Sequence, residues 1–120
     1  MTERAQILTE QGLKLLEQQN FEGAIDRFQL LMELEGESAH ALRNLGKVYW
    51  EAGQEINSYQ SYWKAHALDR TDKAALIGLC RSLVALKRST NAMAILERHL
   101  KEFGEDREIN ALLQFIANKT

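Results

Sequence analysis

Proline is absent from this sequence of 120 residues, and cysteine occurs once. Without proline, stiff proline-rich linkers are excluded and uninterrupted helices are favoured, because proline removes a backbone donor and breaks helices. Cys80 alone cannot form an internal disulfide or supply the several ligands that a zinc site requires. Long apolar runs are also missing, since the longest, residues 74–80, is far shorter than a membrane span.

The charge balance and the amino terminus restrict location and partners further. Fifteen basic and seventeen acidic residues give a net charge of −2, whereas dedicated nucleic-acid binders usually show a basic excess. Residues 1–6 do not form a basic start followed by an apolar stretch, so they do not resemble a signal peptide. We therefore expect a cytoplasmic protein with neither a nucleic-acid partner nor a membrane partner.

No group of residues has the pattern of a catalytic or metal site. The three histidines, His40, His66 and His99, are not grouped with other ligand residues at a metal-binding spacing. We expect His66 and His99 to be satisfied packing residues, and Cys80 to be a buried, inert thiol. Neither a glycine-rich phosphate loop nor a nucleophile elbow is present. The sequence thus predicts no enzymatic activity, no cofactor and no metal.

The apolar residues follow a helical period along nearly the whole chain. Spacings of three and four recur, as in Leu76, Leu79 and Leu83. No β-branched, strictly alternating stretch indicates a strand. We therefore predict an all-α protein.

A period of 34 residues runs through the sequence. Ser38, Asp72 and Asp106 each precede a helical pattern, where a short polar side chain can cap backbone N–H groups. Gly36 and Gly104 precede two of them, as helix-ending glycines do. Small and large residues, which would let paired helices approach and fill the seam between them, repeat with the same step. The small residues are Gly12, Gly46 and Cys80, with Ala24, Ser58 and Ala92, and the large residues are Phe28, Tyr62 and Leu96.

The chain resembles the tetratricopeptide family, whose repeats have this period and contain two helices. The second repeat matches the family's W-x-x-L-G-x-x-Y motif, except that leucine replaces tryptophan. The matching residues are Leu42, Leu45, Gly46 and Tyr49. Cys80 stands where the third repeat would have the glycine, and the proline that often closes a repeat is missing.

This resemblance implies one domain of seven helices wound into a right-handed α-superhelix, or solenoid. Three helix-turn-helix repeats would span residues 5–38, 39–72 and 73–106, and a C-terminal capping helix would span residues 107–118. It also implies a non-enzymatic module for protein–protein interaction, because protein recognition is the family's usual work.

In this family the first helix of each pair lines a concave groove, so the resemblance implies a peptide-binding groove. Its residues would be Leu13, Leu16, His40, Arg43, Asn44, Lys47, Trp50, Ile77, Arg81, Val84 and Phe115. Trp and Arg are common at binding hot spots, and Arg43, Lys47 and Trp50 share a helix face. We expect an adaptor or chaperone-like module that binds an amphipathic protein or peptide segment with acidic residues. The alternative is a groove that is basic and merely hydrated.

One subgroup of the family grips the carboxylate end of chaperone tails with Lys, Asn and Arg residues. Only Asn44 matches that set, whereas other residue types occupy the remaining positions. Those residues are Thr9, Leu13, Ala74 and Gly78. The sequence therefore argues against a chaperone-tail adaptor.

The alternative function is a self-assembling scaffold. Ile56 and Trp63 are seven residues apart on one face of a second helix, which the repeat pattern places on the convex side. An exposed tryptophan often marks a contact, although Trp63 lying flat against its own helix is an equal alternative. Charge also differs between the ends, since residues 5–38 carry two bases against seven acids and residues 73–106 carry six against four. Head-to-tail homo-oligomers would use this asymmetry.

Overall fold

The computed structural model describes residues 1–119, which form seven α-helices and no strand within that range. The helices are α1 (Glu3–Glu17), α2 (Phe21–Glu35), α3 (Ala39–Glu51), α4 (Glu55–Leu68), α5 (Lys73–Ala85), α6 (Ser89–Phe103) and α7 (Arg107–Lys119). The prediction of seven helices and an all-α chain is confirmed for these residues.

Each helix packs on the next one in the chain, and α1, α3 and α5 also contact one another in that order. These three helices form one layer, α2, α4 and α6 form the other, and α7 packs on α6. The described chain extends over 41 × 27 × 19 Å. Neighbouring pairs bury each other's apolar surface, as stacked repeats require.

The helix ends follow the predicted punctuation. Ser38, Asp72 and Asp106 accept hydrogen bonds from the backbone N–H groups of the third residue onward, at 3.1, 3.2 and 3.1 Å. Gly36 and Gly104 end α2 and α6 with φ of 85° and 94°. These angles lie in the left-handed region that glycine adopts without a steric cost.

The small and large series pack against each other across the helix pairs. A methyl group at Gly12 would lie 2.7 Å from the Phe28 ring, and one at Gly46 would lie 2.9 Å from the Tyr62 ring. The Tyr62 ring also lies against Gly78 of α5, so it fills the space between two helices. Phe28 and Tyr62 can approach so closely only because glycine faces them.

The third repeat solves the same packing problem with different volumes. Cys80 occupies the place of Gly12 and Gly46, and Leu96 occupies the place of the aromatic rings; both are fully buried. A larger residue on one helix thus accompanies a smaller residue on its partner, which keeps the filled volume similar. The Cys80 thiol donates to the backbone oxygen of Ala92 at 3.7 Å.

Candidate functional site

The predicted groove residues differ in how far they reach the surface. Lys47, Trp50, Arg81 and Phe115 are exposed; Leu13, His40, Arg43, Ile77 and Val84 are half-buried; Leu16 and Asn44 are buried. Leu16 is part of the apolar core shared by the first two repeats. Leu16 and Asn44 therefore lie beneath the concave surface and are not available for contact at the surface.

A depression of about 620 Å³ lies between α1 and α3 on this face. Leu13, Leu16 and Lys47 line it together with acidic residues that the sequence analysis did not assign to the site. These acidic residues are Glu10, Glu17 and Glu51. The spacing of Glu10 and Glu17 around Leu13, three and four residues, was the available signal. This end of the face carries both signs of charge.

Arg43 is engaged within the protein. Its guanidinium donates to Asp72 at 3.0 Å and to Nδ1 of His40 at 2.8 Å. The side chains of Arg43 and Asp72 are 29% and 12% exposed, and Asp72 also caps α5. Arg43 therefore ties α3 to the start of α5.

The electrostatic setting of His40 agrees with this arrangement. Burial, and then the charge of Arg43, lower the pKa of His40, while Asp72 acts in the opposite direction. A neutral imidazole can accept the hydrogen bond from Arg43 at Nδ1. Lys47 and Arg81, by contrast, have no ion-pair partner among residues 1–119, so they are the free cations of the predicted groove set.

The two residues of the predicted convex interface line different depressions. Trp63 is 50% exposed, and its ring centroid lies 6.4 Å from that of Tyr59. Ile56 is exposed in a shallow depression beside Leu86 that Trp63 does not line. The structure therefore does not join Ile56 and Trp63 into one site.

A second groove, of about 470 Å³, runs between α4 and α6 on the convex side. Its lining includes Trp63, His66, Arg70, Arg98 and His99. The Nδ1 atoms of His66 and His99 are buried and have no hydrogen-bond partner among the described residues. The expectation that these histidines are satisfied packing residues is therefore wrong.

Metal-ligand chemistry has no grouped residues in residues 1–119, where no three His, Cys, Asp or Glu side chains come together. Cys80 is buried, and burial raises the pKa of its thiol to about 12. A thiol in that state is a poor nucleophile. None of the described helices combines the length and the apolarity needed to cross a membrane.

Several solved structures that the chain resembles are tetratricopeptide-repeat (TPR) domains. The TPR domain of Arabidopsis OM64 has a TM-score of 0.83 at 16% identity, over 98% of each chain. The second TPR domain of human RPAP3, in complex with the HSP70 peptide SGPTIEEVD, has a TM-score of 0.81 at 17% identity, over 95% of each chain. The TPR2B domain of yeast Sti1, in complex with pHsp70, has a TM-score of 0.84 at 17% identity, over 99% of this chain and all of that one.

No family model and no curated protein matches the sequence. At these identities the similarity establishes the fold alone. The chain has the tetratricopeptide fold, an all-helical superhelix of paired helices. The resemblance inferred from the 34-residue period is thereby confirmed at the level of the fold.

Proposed function

We propose that this chain is a non-enzymatic protein-interaction module that holds a segment of a partner protein on the concave face. The observation that carries the proposal is the pair Lys47 and Trp50 on α3. Trp50 is 37% exposed, and Lys47 is exposed without an ion-pair partner among residues 1–119. A tryptophan beside a free cation is a common composition of binding hot spots.

The complexes of related fold support the same use. The second TPR domain of human RPAP3 binds an HSP70 peptide, and the yeast Sti1 domain is in complex with pHsp70. The bound RPAP3 peptide ends in Glu-Glu-Val-Asp and is acidic. A peptide or protein segment with acidic residues is therefore the partner class that we propose here.

The charges of the concave face favour one orientation of that segment. Lys47 and Arg81 are free cations, whereas Glu10 and Glu17 stand at the α1 end. The acidic residues of the partner should therefore lie towards α3 and α5, and its apolar residues should contact Trp50. Apolar contact should supply most of the affinity, while exposed charges set register and association rate.

A chaperone tail held by its terminal carboxylate is not the partner we propose. Asn44 is the one residue that matches the carboxylate-gripping set, and it is buried. Gly78 occupies another of those positions and faces the Tyr62 ring. The cations that would chelate a terminal carboxylate are absent from these positions.

Capture of a partner from the native lysate, followed by binding kinetics of the purified pair, tests the proposal. Trp50→Ala should mainly raise the dissociation rate, because it removes buried apolar area. Lys47→Glu with Arg81→Glu should slow association and flatten its salt dependence. Arg43 is unsuitable for this test, because its substitution would break the contact with Asp72.

Convex variants serve as matched controls. Trp63→Ala and Lys64→Glu change the same residue types on α4, and the Lys64 pair with Glu37 is exposed on both sides and contributes little. Binding that is unchanged by the concave variants, yet weakened by the convex ones, would refute the concave site.

Self-association through Trp63 is the second candidate, supported by the 50% exposure of this side chain. If Trp63 forms a contact between copies, the mass from light scattering should rise with concentration, and Trp63→Ala should lower it. Removing an interface anchor typically costs about 2 kcal/mol or more. A constant monomer mass would eliminate this candidate. The cytoplasmic location stays a prediction, which fractionation of native cells would test.

A further inference from the structure

We propose that the convex groove between α4 and α6 is a second binding site, separate from the concave face. Its ligand would be an acidic segment of a partner protein in which an aromatic or aliphatic side chain adjoins a carboxylate. The proposal rests on an apolar wall, a cluster of cationic groups and two unsatisfied histidines that meet in one groove of about 470 Å³.

The apolar wall can accept one side chain of moderate size. Tyr59 and Trp63 of α4 stand on one side, with Leu83 and Ile95 among the other lining residues. Trp63 is half exposed and its ring is tilted by 34° against that of Tyr59. A ligand side chain placed here would cover apolar surface that water now contacts, which favours binding.

The cationic cluster lies beside this wall. Arg98 has no ion-pair partner among the described residues, and Arg70 is paired with Glu102 and lies 5.8 Å from the centre of the Phe103 ring. Burial lowers the pKa of His66, and the charges of Arg70, His99 and Arg98 lower it further. Glu102 is the acidic group that acts against them.

These charges converge from both helices that form the groove. Arg70 and His66 come from the end of α4, whereas Arg98, His99 and Glu102 come from α6. With one carboxylate against two guanidinium groups, the groove has a positive excess. A ligand carboxylate would reduce that excess, and Arg98 presents the planar fork that binds carboxylates in a bidentate manner.

The histidines supply the independent sign of an incomplete site. His99 is only 9% exposed, and its Nδ1, like that of His66, has no hydrogen-bond partner. Buried polar atoms in folded proteins are nearly always paired, so each exception calls for a physical explanation. A neutral imidazole carries one N–H, and we infer that it lies on Nε2 in both rings, since an unpaired N–H at the buried Nδ1 would be costly. An acceptor in the groove could then receive it.

Trp50 and Trp63 allow the two faces to be observed separately. In the variant Trp50→Phe the remaining tryptophan, Trp63, reports the convex groove, and in Trp63→Phe the remaining Trp50 reports the concave face. The probe is the blocked peptide acetyl-Phe-Glu-Glu-amide, and its matched neutral control is acetyl-Phe-Gln-Gln-amide. Binding is followed through the indole N–H and the histidine ring signals in NMR spectra.

The acidic probe should shift the Trp63 indole and the rings of His66 and His99 in the full-length chain. It should bind at least about fivefold more tightly than the neutral probe, and Arg98→Gln should remove about that factor. Arg107→Gln is the matched control, because Arg107 is exposed on α7 and lies outside this groove. Circular dichroism of both variants establishes that they remain folded.

Four results would overturn the proposal. Equal binding of the two probes would remove the role of the carboxylates, and equal effects of Arg98→Gln and Arg107→Gln would remove the role of the groove. Identical shifts with acetate or inorganic phosphate alone would indicate a simple anion site without the apolar part. A Trp63 signal that moves on concentrating the protein without probe, with a doubled mass, would assign the groove to a second copy. Shifts of Trp50 alone would leave the concave face as the binding site, so the two proposals fail separately.

Discussion

Replacing Gly78 with alanine tests the packing that joins the second and third helix pairs. A methyl group at this position would lie 2.7 Å from Cδ1 of the Tyr62 ring and closer still to other ring atoms. Non-bonded carbon atoms pack at about 3.5–4.0 Å, so α5 and the ring would have to separate by about 1 Å. The ring cannot retreat, because it already lies against Gly46 on its other side.

The expected cost follows from two opposing terms. Overpacking a closed core costs about 1–3 kcal/mol, and a ring held on both sides should give the upper end of that range. Alanine recovers about 1 kcal/mol because it favours a helix more than glycine does. We therefore expect Gly78→Ala to lower the free energy of unfolding by about 2 kcal/mol.

Urea unfolding followed by circular dichroism at 222 nm measures this change. In a Tyr62→Leu background the methyl group has room, so Gly78→Ala should become stabilising by about 1 kcal/mol. Cys80 and Leu96 show that a larger residue with a smaller partner is tolerated in this fold. A Gly78→Ala protein that is as stable as the parent, or a Tyr62→Leu background that leaves the penalty unchanged, would refute this description of the core.

Three further predictions concern single positions. Cys80 should not react with a thiol reagent at pH 8 until urea unfolds the chain, since burial raises its pKa to about 12; reaction in the native state would contradict this. Gly53→Ala should cost about 1 kcal/mol and Lys87→Gly should gain about 0.5 kcal/mol in urea unfolding, because both residues have left-handed φ, of 79° and 65°; opposite signs would show that φ does not limit stability there. His40 and His66 should titrate below their ordinary pKa of 6.5 in NMR spectra, since burial disfavours their cations. Their contribution to stability is then complete above pH 6.5 and lost as pH falls through the folded values; midpoints above 6.5 would reverse the sign.

The fold could be predicted from sequence because the repeat geometry is written locally. A glycine facing an aromatic ring recurs after 34 residues, at Gly12 with Phe28 and at Gly46 with Tyr62. Each pair is settled within one helix hairpin, where the two residues are 16 apart. Short-range patterns of this kind report packing directly.

Side-chain contacts between repeats could not be predicted in the same way. Arg43 and Asp72 are 29 residues apart, and their contact depends on the angle at which one hairpin stacks on the next. From the sequence Asp72 had one expected role, as a helix cap, but it also pairs with Arg43. The predicted groove therefore included a cation that is already engaged within the protein.

The convex groove escaped the sequence analysis for a related reason. His66 and His99 are 33 residues apart, one short of the repeat period, so alignment of the repeats does not place them together. They meet because α4 and α6 stack across the turn between repeats. The packing of the helices brings together what the period separates.

The basic excess of residues 73–106 is divided between two opposite faces. Lys73 is paired with Asp106 and Glu108, whereas Arg81 of α5 and Arg98 of α6 have no ion-pair partner among residues 1–119. A head-to-tail neighbour that offered its acidic first repeat would approach one of these faces, not both. Two ligands, or one long segment that wraps around the third helix pair, would be needed to engage both arginines. Because exposed charges act within about a Debye length of 8–10 Å, Arg81 should govern the salt dependence of concave binding, and Arg98 that of convex binding.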